Sequence, residues 1–216
     1  MSGISRERIA SILRDYLVVA DAKSPLVTGI QSYVSLLRQW NRSISLTAVT
    51  DPEEIVRFHF GESLFASAAV RIAGGRLADV GSGAGFPGLP LRMLVPKIEL
   101  MLIESNAKKA TFLSEVVRKL RLDHVVVFRG RLEEFDRNTD VGGDKFNFVT
   151  ARAIGHFGGL LSWAKSHLSD SGKIVLWLGD RDVESISRSK GWVWGAATPI
   201  PGSRRRSILV GSPQVV

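Results

Sequence analysis

The chain has 216 residues, enough for one α/β core with a small appendage, and its 44% apolar and 23% charged content suits a globular protein. No apolar run approaches the roughly 18 residues of a membrane span. The charged start at Arg6, Glu7 and Arg8 lacks a secretory layout, so a cytoplasmic location is expected. The absence of cysteine excludes disulfides, cysteine-ligated zinc and a thiol nucleophile. The formal net charge is +8, and it is unevenly spread: residues 1–75 hold eight basic and seven acidic side chains, the remainder 21 and 14. Segment 105–131 alone holds Lys108, Lys109, Arg118, Lys119, Arg121, Arg129 and Arg131 against Glu115 and Asp123, and Arg204, Arg205 and Arg206 form a second basic point. Such a domain has the footprint expected for a polyphosphate partner, although the same charges also suit a solvated helix face.

The first elements in chain order are helices. Ile9, Ile12, Leu13, Tyr16 and Leu17 recur at helical spacing over 5–20. Ser24 caps and Pro25 opens a second helix, with Ile30, Tyr33, Val34, Leu37 and Trp40 as its apolar stripe. Asp51-Pro52-Glu53-Glu54 starts a third, running to about Ala73 with a break at Gly61, before Gly74-Gly75. The pattern then alternates. Strands are predicted at 76–80, 98–103, 124–128, 146–150 and 172–178, and helices at 87–95, 106–121, 156–168 and 181–189. Strands alternating with such helices predict a parallel, doubly wound sheet. Two further strands, Trp192 to Ala197 and Arg206 to Val210, form an antiparallel pair on either side of Pro199-Ile-Pro201-Gly202. Trp192 and Trp194 share a face and read as sheet packing rather than base stacking. The chain thus divides into an N-terminal helical region, 1–75, packed on a Rossmann-like domain, 76–216.

The segment richest in information is Leu77-Ala-Asp-Val-Gly-Ser-Gly-Ala-Gly-Phe-Pro-Gly88. A strand runs into a glycine loop that satisfies Gly-x-Gly-x-x-Gly and opens a helix. Glycines let a ligand approach the backbone, and the helix start offers unpaired amides. Asp79 stands two residues before Gly81, where a carboxylate repels a pyrophosphate and welcomes an ammonium or sulfonium. Phe86-Pro87 removes an amide donor. Glu104 closes the second strand 19 residues after Gly85 and can accept both ribose hydroxyls. The loop therefore favours S-adenosylmethionine over NAD, with Asp79, Gly81, Gly83, Gly85 and Glu104 as cofactor residues. An acid after the third strand, in Leu132-Glu133, can read the adenine amino group.

Four stretches in order are similar to one family: Asp79-Val-Gly-Ser-Gly-Ala-Gly-Phe-Pro-Gly-Leu-Pro90, Leu102-Ile-Glu-Ser-Asn-Ala-Lys-Lys-Ala-Thr-Phe-Leu113, Gly130-Arg-Leu-Glu-Glu-Phe135 and Thr150-Ala-Arg-Ala153. The chain resembles the small-subunit ribosomal RNA methyltransferase G family, also called the glucose-inhibited division protein B family. Leu36-Leu-Arg-Gln-Trp-Asn41, Ser45-Leu-Thr-Ala-Val49 and His59-Phe-Gly-Glu-Ser-Leu64 resemble its N-terminal helical region. The resemblance implies a class I S-adenosylmethionine-dependent fold. It also implies methyl transfer to N7 of a guanine in 16S rRNA, at the position conventionally numbered 527. Cofactor contacts are implied at Gly81, Phe86, Leu132, Glu133 and Arg152. The chain departs from the family pattern at Ser45, usually Asn, at Glu62, usually Asp, and at Gly179-Asp180, usually Lys-Gly.

The chemistry agrees with that implication. Guanine N7 attacks a methyl sulfonium without losing a proton, so positioning and desolvation suffice. The lack of cysteine argues against C5 pyrimidine methylation, which needs a thiolate adduct. No Asn/Asp-Pro-Pro-aromatic motif supports exocyclic amino methylation. An arginine bidentate to O6 and N7 blocks the reaction, so the base must be read elsewhere. Arg152, ending the fourth strand, touches cofactor or base, or pairs with Asp79 or Glu104. Lys108, Lys109, Arg118, Arg204, Arg205 and Arg206 are the candidate RNA contacts. His59, three residues before Glu62, reads as packed rather than catalytic. His124 opens the third strand, His156 and His167 lie on a helix surface, and no metal site is expected. The partner is 16S rRNA in the small subunit or an assembly intermediate, and a monomer is expected. Three other readings are a methyltransferase acting on protein or a small molecule, a NAD-binding oxidoreductase, and a non-catalytic RNA-binding module.

Overall fold

The structure is a computed structural model that describes residues 3–18, 20–135, 145–153, 155, 157–203 and 205–214. Its helices are α1 (Arg6–Leu13), α2 (Pro25–Trp40), α3 (Pro52–Ile55), a π-helical turn (Val56–Gly61), α4 (Glu62–Val70), α5 (Gly88–Leu94), α6 (Ala107–Leu120), α7 (Leu132–Phe135), α8 (Phe157–His167) and α9 (Asp180–Ile186). Its strands are β1 (Gly75–Val80), β2 (Ile98–Glu104), β3 (Val125–Arg129), β4 (Phe146–Arg152), β5 (Leu168–Gly179), β6 (Trp192–Trp194), β7 (Thr198–Pro199) and β8 (Arg206–Pro213).

One sheet holds all eight strands in the order β3-β2-β1-β4-β5-β8-β6, with β7 also paired to β8. β1 to β5 are parallel; β8 joins β5 antiparallel, and β6 and β7 pair antiparallel to β8. Strand order reverses at β1, which lies between β2 and β4. A crevice opens at such a switch point, beyond the carboxyl ends of the strands. Side chains alternate across the sheet. Leu77, Leu100, Leu102, Val175 and Trp177 pack with the N-terminal helices, α5 and α6. Ala78, Val80, Met101, Ile103, Val149, Ala151, Ile174 and Leu176 pack with α7, α8 and α9 on the opposite face. The described residues of the first 75 therefore share the core of the sheet: Ile9, Leu13, Tyr33 and Phe60 belong to the same cluster as Leu77 and Phe112.

Local chemistry explains the helix starts. Ser24 Oγ accepts from the Val27 amide, Asp51 Oδ1 from the Glu53 and Glu54 amides, and Asn106 Oδ1 from the Lys108 and Lys109 amides. Three expectations need correction. The first helix stops at Leu13, and Tyr16 follows in a turn. The third is not broken at Gly61: α3, the π-helical turn and α4 run on continuously to Val70, where Arg71 terminates them with φ 49°. The glycine is there because the Tyr16 ring lies where its Cβ would be, 2.5 Å away. The fifth strand begins at Leu168, ahead of the expected 172, with an irregular register against Phe146 and Phe148. Trp192 and Trp194 stack on each other at 5.4 Å, Trp194 over Gly211, as sheet packing.

Gly61→Ala is expected to lower stability by about 1–3 kcal/mol through overpacking against Tyr16. A urea titration followed by circular dichroism measures it, and Tyr16→Ala in the same chain should recover part of the loss.

Candidate active site: a glycine loop, a cleft and two guanidinium groups

β1, β2 and β4 end side by side, because Val80 pairs with Ile103 and with Ala151. The glycine loop leaves β1 at this edge. Gly81, Gly83 and Gly85 have φ of 67°, 57° and 87°, a region that L side chains rarely occupy. The loop is tied on two sides. Gly81 and Ser82 amides donate to the Ile103 carbonyl at 2.9 and 3.2 Å. The Gly83 amide donates to Glu104 Oε2 at 2.8 Å, while Glu104 Oε1 accepts from the Asn106 amide at 2.7 Å. From the helical region, Tyr33 donates its hydroxyl proton to the Ala84 carbonyl at 2.6 Å. The sequence had marked Tyr33 only as one residue of an apolar stripe.

Beside the loop lies an open cleft of about 390 Å³, lined by Val80, Gly81, Ile103, Ser105, Gly130, Arg131, Leu132 and Glu133. It brings together residues from the ends of β1, β2 and β3, including the expected Gly81, Leu132 and Glu133. Glu104, between the lining residues Ile103 and Ser105, is held by its two amide bonds. A Cβ at Gly83 would have no neighbour closer than 3.8 Å, so the loop has an open side there. These features fit an adenosine-bearing cofactor such as S-adenosylmethionine. The cleft is concave, the loop backbone is accessible, and a fixed carboxylate closes the second strand.

The remaining expected cofactor residues are turned elsewhere. Asp79 does not guard the mouth of the loop. Its side chain is fully buried, with Oδ1 accepting from the Thr150 hydroxyl at 2.7 Å and Oδ2 from the Gly88 amide at 3.2 Å. It shapes the loop from behind, by holding the first residue of α5 against β1 and β4. Burial pushes its carboxyl up to about 7, helped by the nearby Glu104 charge and opposed by the bonds from Thr150, Gly88 and Ser82. Gly85 does not face a ligand either: a Cβ there would collide with the Tyr33 hydroxyl and Leu89. The Phe86 ring belongs to the core, stacked on Tyr33 at 5.5 Å and His59 at 4.9 Å, with Phe60 edge-on at 5.1 Å.

On the other side of the switch point, Arg152 ends β4. It pairs with neither Asp79 nor Glu104. Its Nη2 lies 3.0 Å from Glu62 Oε2, and Arg206 Nη2 lies 2.7 Å from Glu62 Oε1. Burial pushes the Glu62 carboxyl up while the two guanidinium groups pull it down. His59 accompanies this cluster as a packed residue. Its Nε2 is 2.7 Å from the Thr47 hydroxyl, and burial together with Arg152 and Arg206 lowers its pKa to about 4. His59 is thus neutral at pH 7.

The basic candidates separate in space. Lys108 and Lys109 occupy the first turn of α6, which follows the end of β2 at Glu104. Arg118 lies ten residues on, at the far end of that helix, roughly 15 Å away at 1.5 Å per residue. It is engaged with Glu115 at 2.7 and 2.9 Å, so it does not belong to the site edge. Arg205 is exposed, whereas Arg206 turns inward to Glu62 and across the Phe58 ring at 5.4 Å. Arg204 and His156 lie outside the described residues. His124 precedes β3 with φ 53°, and its carbonyl accepts from the Leu100 amide at 2.8 Å. His167, expected on a surface, is half-buried and stacks on Trp163 at 4.1 Å. Among the described residues no group of three or more His, Asp or Glu could hold a metal, and no helix is long and apolar enough to cross a membrane.

The strand order, the loop and the cleft together define a class I, Rossmann-like methyltransferase fold. Solved structures show the same fold. A putative O-methyltransferase from Klebsiella pneumoniae aligns with TM-score 0.66 at 12% identity over 96% of each chain. A ribosomal protein L11 methylase from Lactobacillus delbrueckii aligns with TM-score 0.59 at 15% identity, over 74% of this chain and 80% of that one. Residues 27–192 match the model of the rRNA small subunit methyltransferase G (GidB) family, and the chain belongs to that family. Proteins called ribosomal RNA small subunit methyltransferase G are similar to it. The one from Desulfitobacterium hafniense is 39% identical over 73% of this chain and 65% of its own length, just under two thirds. The one from Stenotrophomonas maltophilia is 33% identical over 95% and 96%.

Two tests separate the loop's parts. Gly85→Ala is expected to cost about 2–4 kcal/mol of stability from backbone strain and overpacking. Gly83→Ala is expected to cost only about 1 kcal/mol for its left-handed backbone, yet to weaken S-adenosylmethionine in calorimetric titration. The Asp79 carboxyl is also testable. Its native pKa, about 7, exceeds its ordinary 3.8, so the native state holds the extra proton between those values. Its contribution is complete below the lower value and is lost as pH rises through the upper one. Asp79→Asn should therefore flatten the fall in stability from about pH 4 to about pH 7, measured by denaturant titration at each pH.

Proposed function

We propose that the chain transfers a methyl group from S-adenosylmethionine to N7 of a guanine in 16S ribosomal RNA, at the decoding-region position conventionally numbered 527. The observation that carries this reading is the juxtaposition of two half-sites at the sheet's switch point. A backbone-lined cleft suits the cofactor, and Arg152 stands at the adjoining end of β4. Family membership supports ribosomal RNA of the small subunit as the substrate.

In this reading Gly81, Gly83, Glu104, Leu132 and Glu133 bind and orient the cofactor, and Arg152 borders cofactor and base. Bound S-adenosylmethionine supplies an electrophilic methyl group. The chain's own task is to hold a guanine, extruded from an RNA loop, with its N7 lone pair in line. No side chain has to remove a proton. That suits a site whose histidine, His59, is already neutral and engaged with Thr47. Lys108, Lys109 and Arg205 supply phosphate contacts that set RNA register. Residues 1–75 act as an appendage that braces the glycine loop, and the protein works as a cytoplasmic monomer.

Incubation with methyl-labelled S-adenosylmethionine and 16S rRNA, free or in the small subunit, followed by mapping of the label, tests the reaction. Label at N7 of one guanine is expected; label on protein, or on adenine, overturns the reading. Charge reversal of Lys108 and Lys109 is expected to reduce kcat/KM for RNA and to lower the salt dependence of binding by about two counterions. A methyltransferase acting on protein or a small molecule would be indifferent to that change.

A further inference from the structure

Glu62 has no task in the reading above, although the chain goes to some length to bury it. The residue is 1% exposed and stands where the π-helical turn passes into α4. Its backbone carbonyl accepts from Trp177 Nε1 at 2.8 Å, which fixes it to β5. Its two carboxylate oxygens bridge guanidinium groups 90 and 144 residues away in sequence, Arg152 on β4 and Arg206 on β8. Phe58 lies under Arg206, and Tyr16 closes the other side of the turn.

A buried donor without a partner costs free energy, and one on a charged group costs most. Here one remains: Arg152 Nη1 is buried without a hydrogen-bond partner. The pair nevertheless borders solvent, the Arg152 side chain being 15% exposed and that of Arg206 38%. Ala151, the residue before Arg152, pairs with Val80 at the foot of the glycine loop, so the left-over donor belongs to the half of the edge next to the cofactor cleft. The remaining geometry restricts what it can take. Glu62 Oε2 takes one N–H of Nη2 at 3.0 Å, which leaves Nη1 as the terminal nitrogen with no bond of its own. A single nitrogen takes a single oxygen, and N7 stays free to react.

We propose that Glu62 is a positioning residue for the RNA substrate. It holds Arg152 and Arg206 as a bridged guanidinium pair that receives an oxygen of the acceptor nucleotide, with Arg152 Nη1 as the donor. The inference rests on the RNA-methylation reading and deepens it. Its test compares Glu62→Gln, Glu62→Asp and Arg206→Gln with the unaltered chain, below the melting temperature of every variant. Methyl transfer to 16S rRNA is measured for kcat and KM, and S-adenosylmethionine affinity by calorimetry.

Glu62→Gln keeps the volume and loses the charge. It is expected to lower kcat about 100-fold, the effect of about 1 Å of misplacement, with S-adenosylmethionine affinity within about threefold of the unaltered chain, too small for a lost charge-assisted bond. Glu62→Asp keeps the charge and should recover about tenfold of that kcat, since a carboxylate restores charge-assisted bonds to guanidinium. Arg206→Gln leaves the Glu62–Arg152 pair and the Nη1 donor in place but removes the second cation beside the acceptor oxygen, and should raise KM for RNA about threefold. If Glu62→Gln fails to fold, the other two variants decide by the same readouts. Unchanged kcat and KM in folded variants overturn the proposal, as does Gln performing as well as Asp, which assigns the residue to packing. A loss of S-adenosylmethionine affinity that accounts for the whole defect also overturns it, because the acceptor oxygen then lies on the cofactor. An unaltered chain that binds S-adenosylmethionine yet labels no RNA removes the reading beneath, and this inference with it.

Discussion

A carboxylate sealed inside the sheet governs the geometry of the site. Taking a carboxyl group out of water costs free energy unless donors replace the lost hydration, and most of all in its ionised form. For Asp79 those donors are the Thr150 hydroxyl on β4 and the Gly88 amide opening α5. Satisfying them locks β1, β4 and α5 together at the point where the strand order reverses. The glycine loop lies between two of these anchored points, so its left-handed path has little freedom. The cleft beside it inherits that rigidity.

Two further buried carboxylates repeat the solution at the same edge. Glu104, 7% exposed, uses both oxygens on backbone amides and so joins the loop to the start of α6. Glu62 uses both on guanidinium groups. The chain is basic as a whole, yet the charges at the centre of its site are acidic and enclosed. They arrange backbone donors on the cofactor side and cations on the other. The helical N-terminal region reaches both halves, through the Tyr33 bond to Ala84 and through the Tyr33–Phe86–His59 stack. It is therefore part of the site's scaffold as much as an appendage.

Much of this was legible beforehand because it is local. Proline and serine at 24–25, Asp51-Pro52, and the glycine run after Val80 each encode a backbone conformation that needs no distant partner. The readings that needed correction concern where a side chain points. Asp79 was placed at the loop's mouth from its position along the chain. Period-two alternation would have put it on the face of Leu77, among the buried residues, because successive side chains on a strand point to opposite faces. Gly61 and Gly85 looked like a helix break and a ligand contact. Both make room for tyrosine rings contributed by other elements, Tyr16 and Tyr33, and no pattern near either glycine records that.

The doubly wound fold, the loop that suits an adenosine-type cofactor, and the family to which the chain belongs are therefore all written in the order of residues. Each follows from hydrophobic period, turn chemistry or a contiguous motif. Which charges meet depends instead on how the elements pack. Arg118 is engaged with Glu115 at the far end of α6, and Arg206 turns in to share Glu62 with Arg152. The reason is physical: burial forces a charged group to find a partner, and that partner is set by how strands far apart in the chain align at one edge of the sheet.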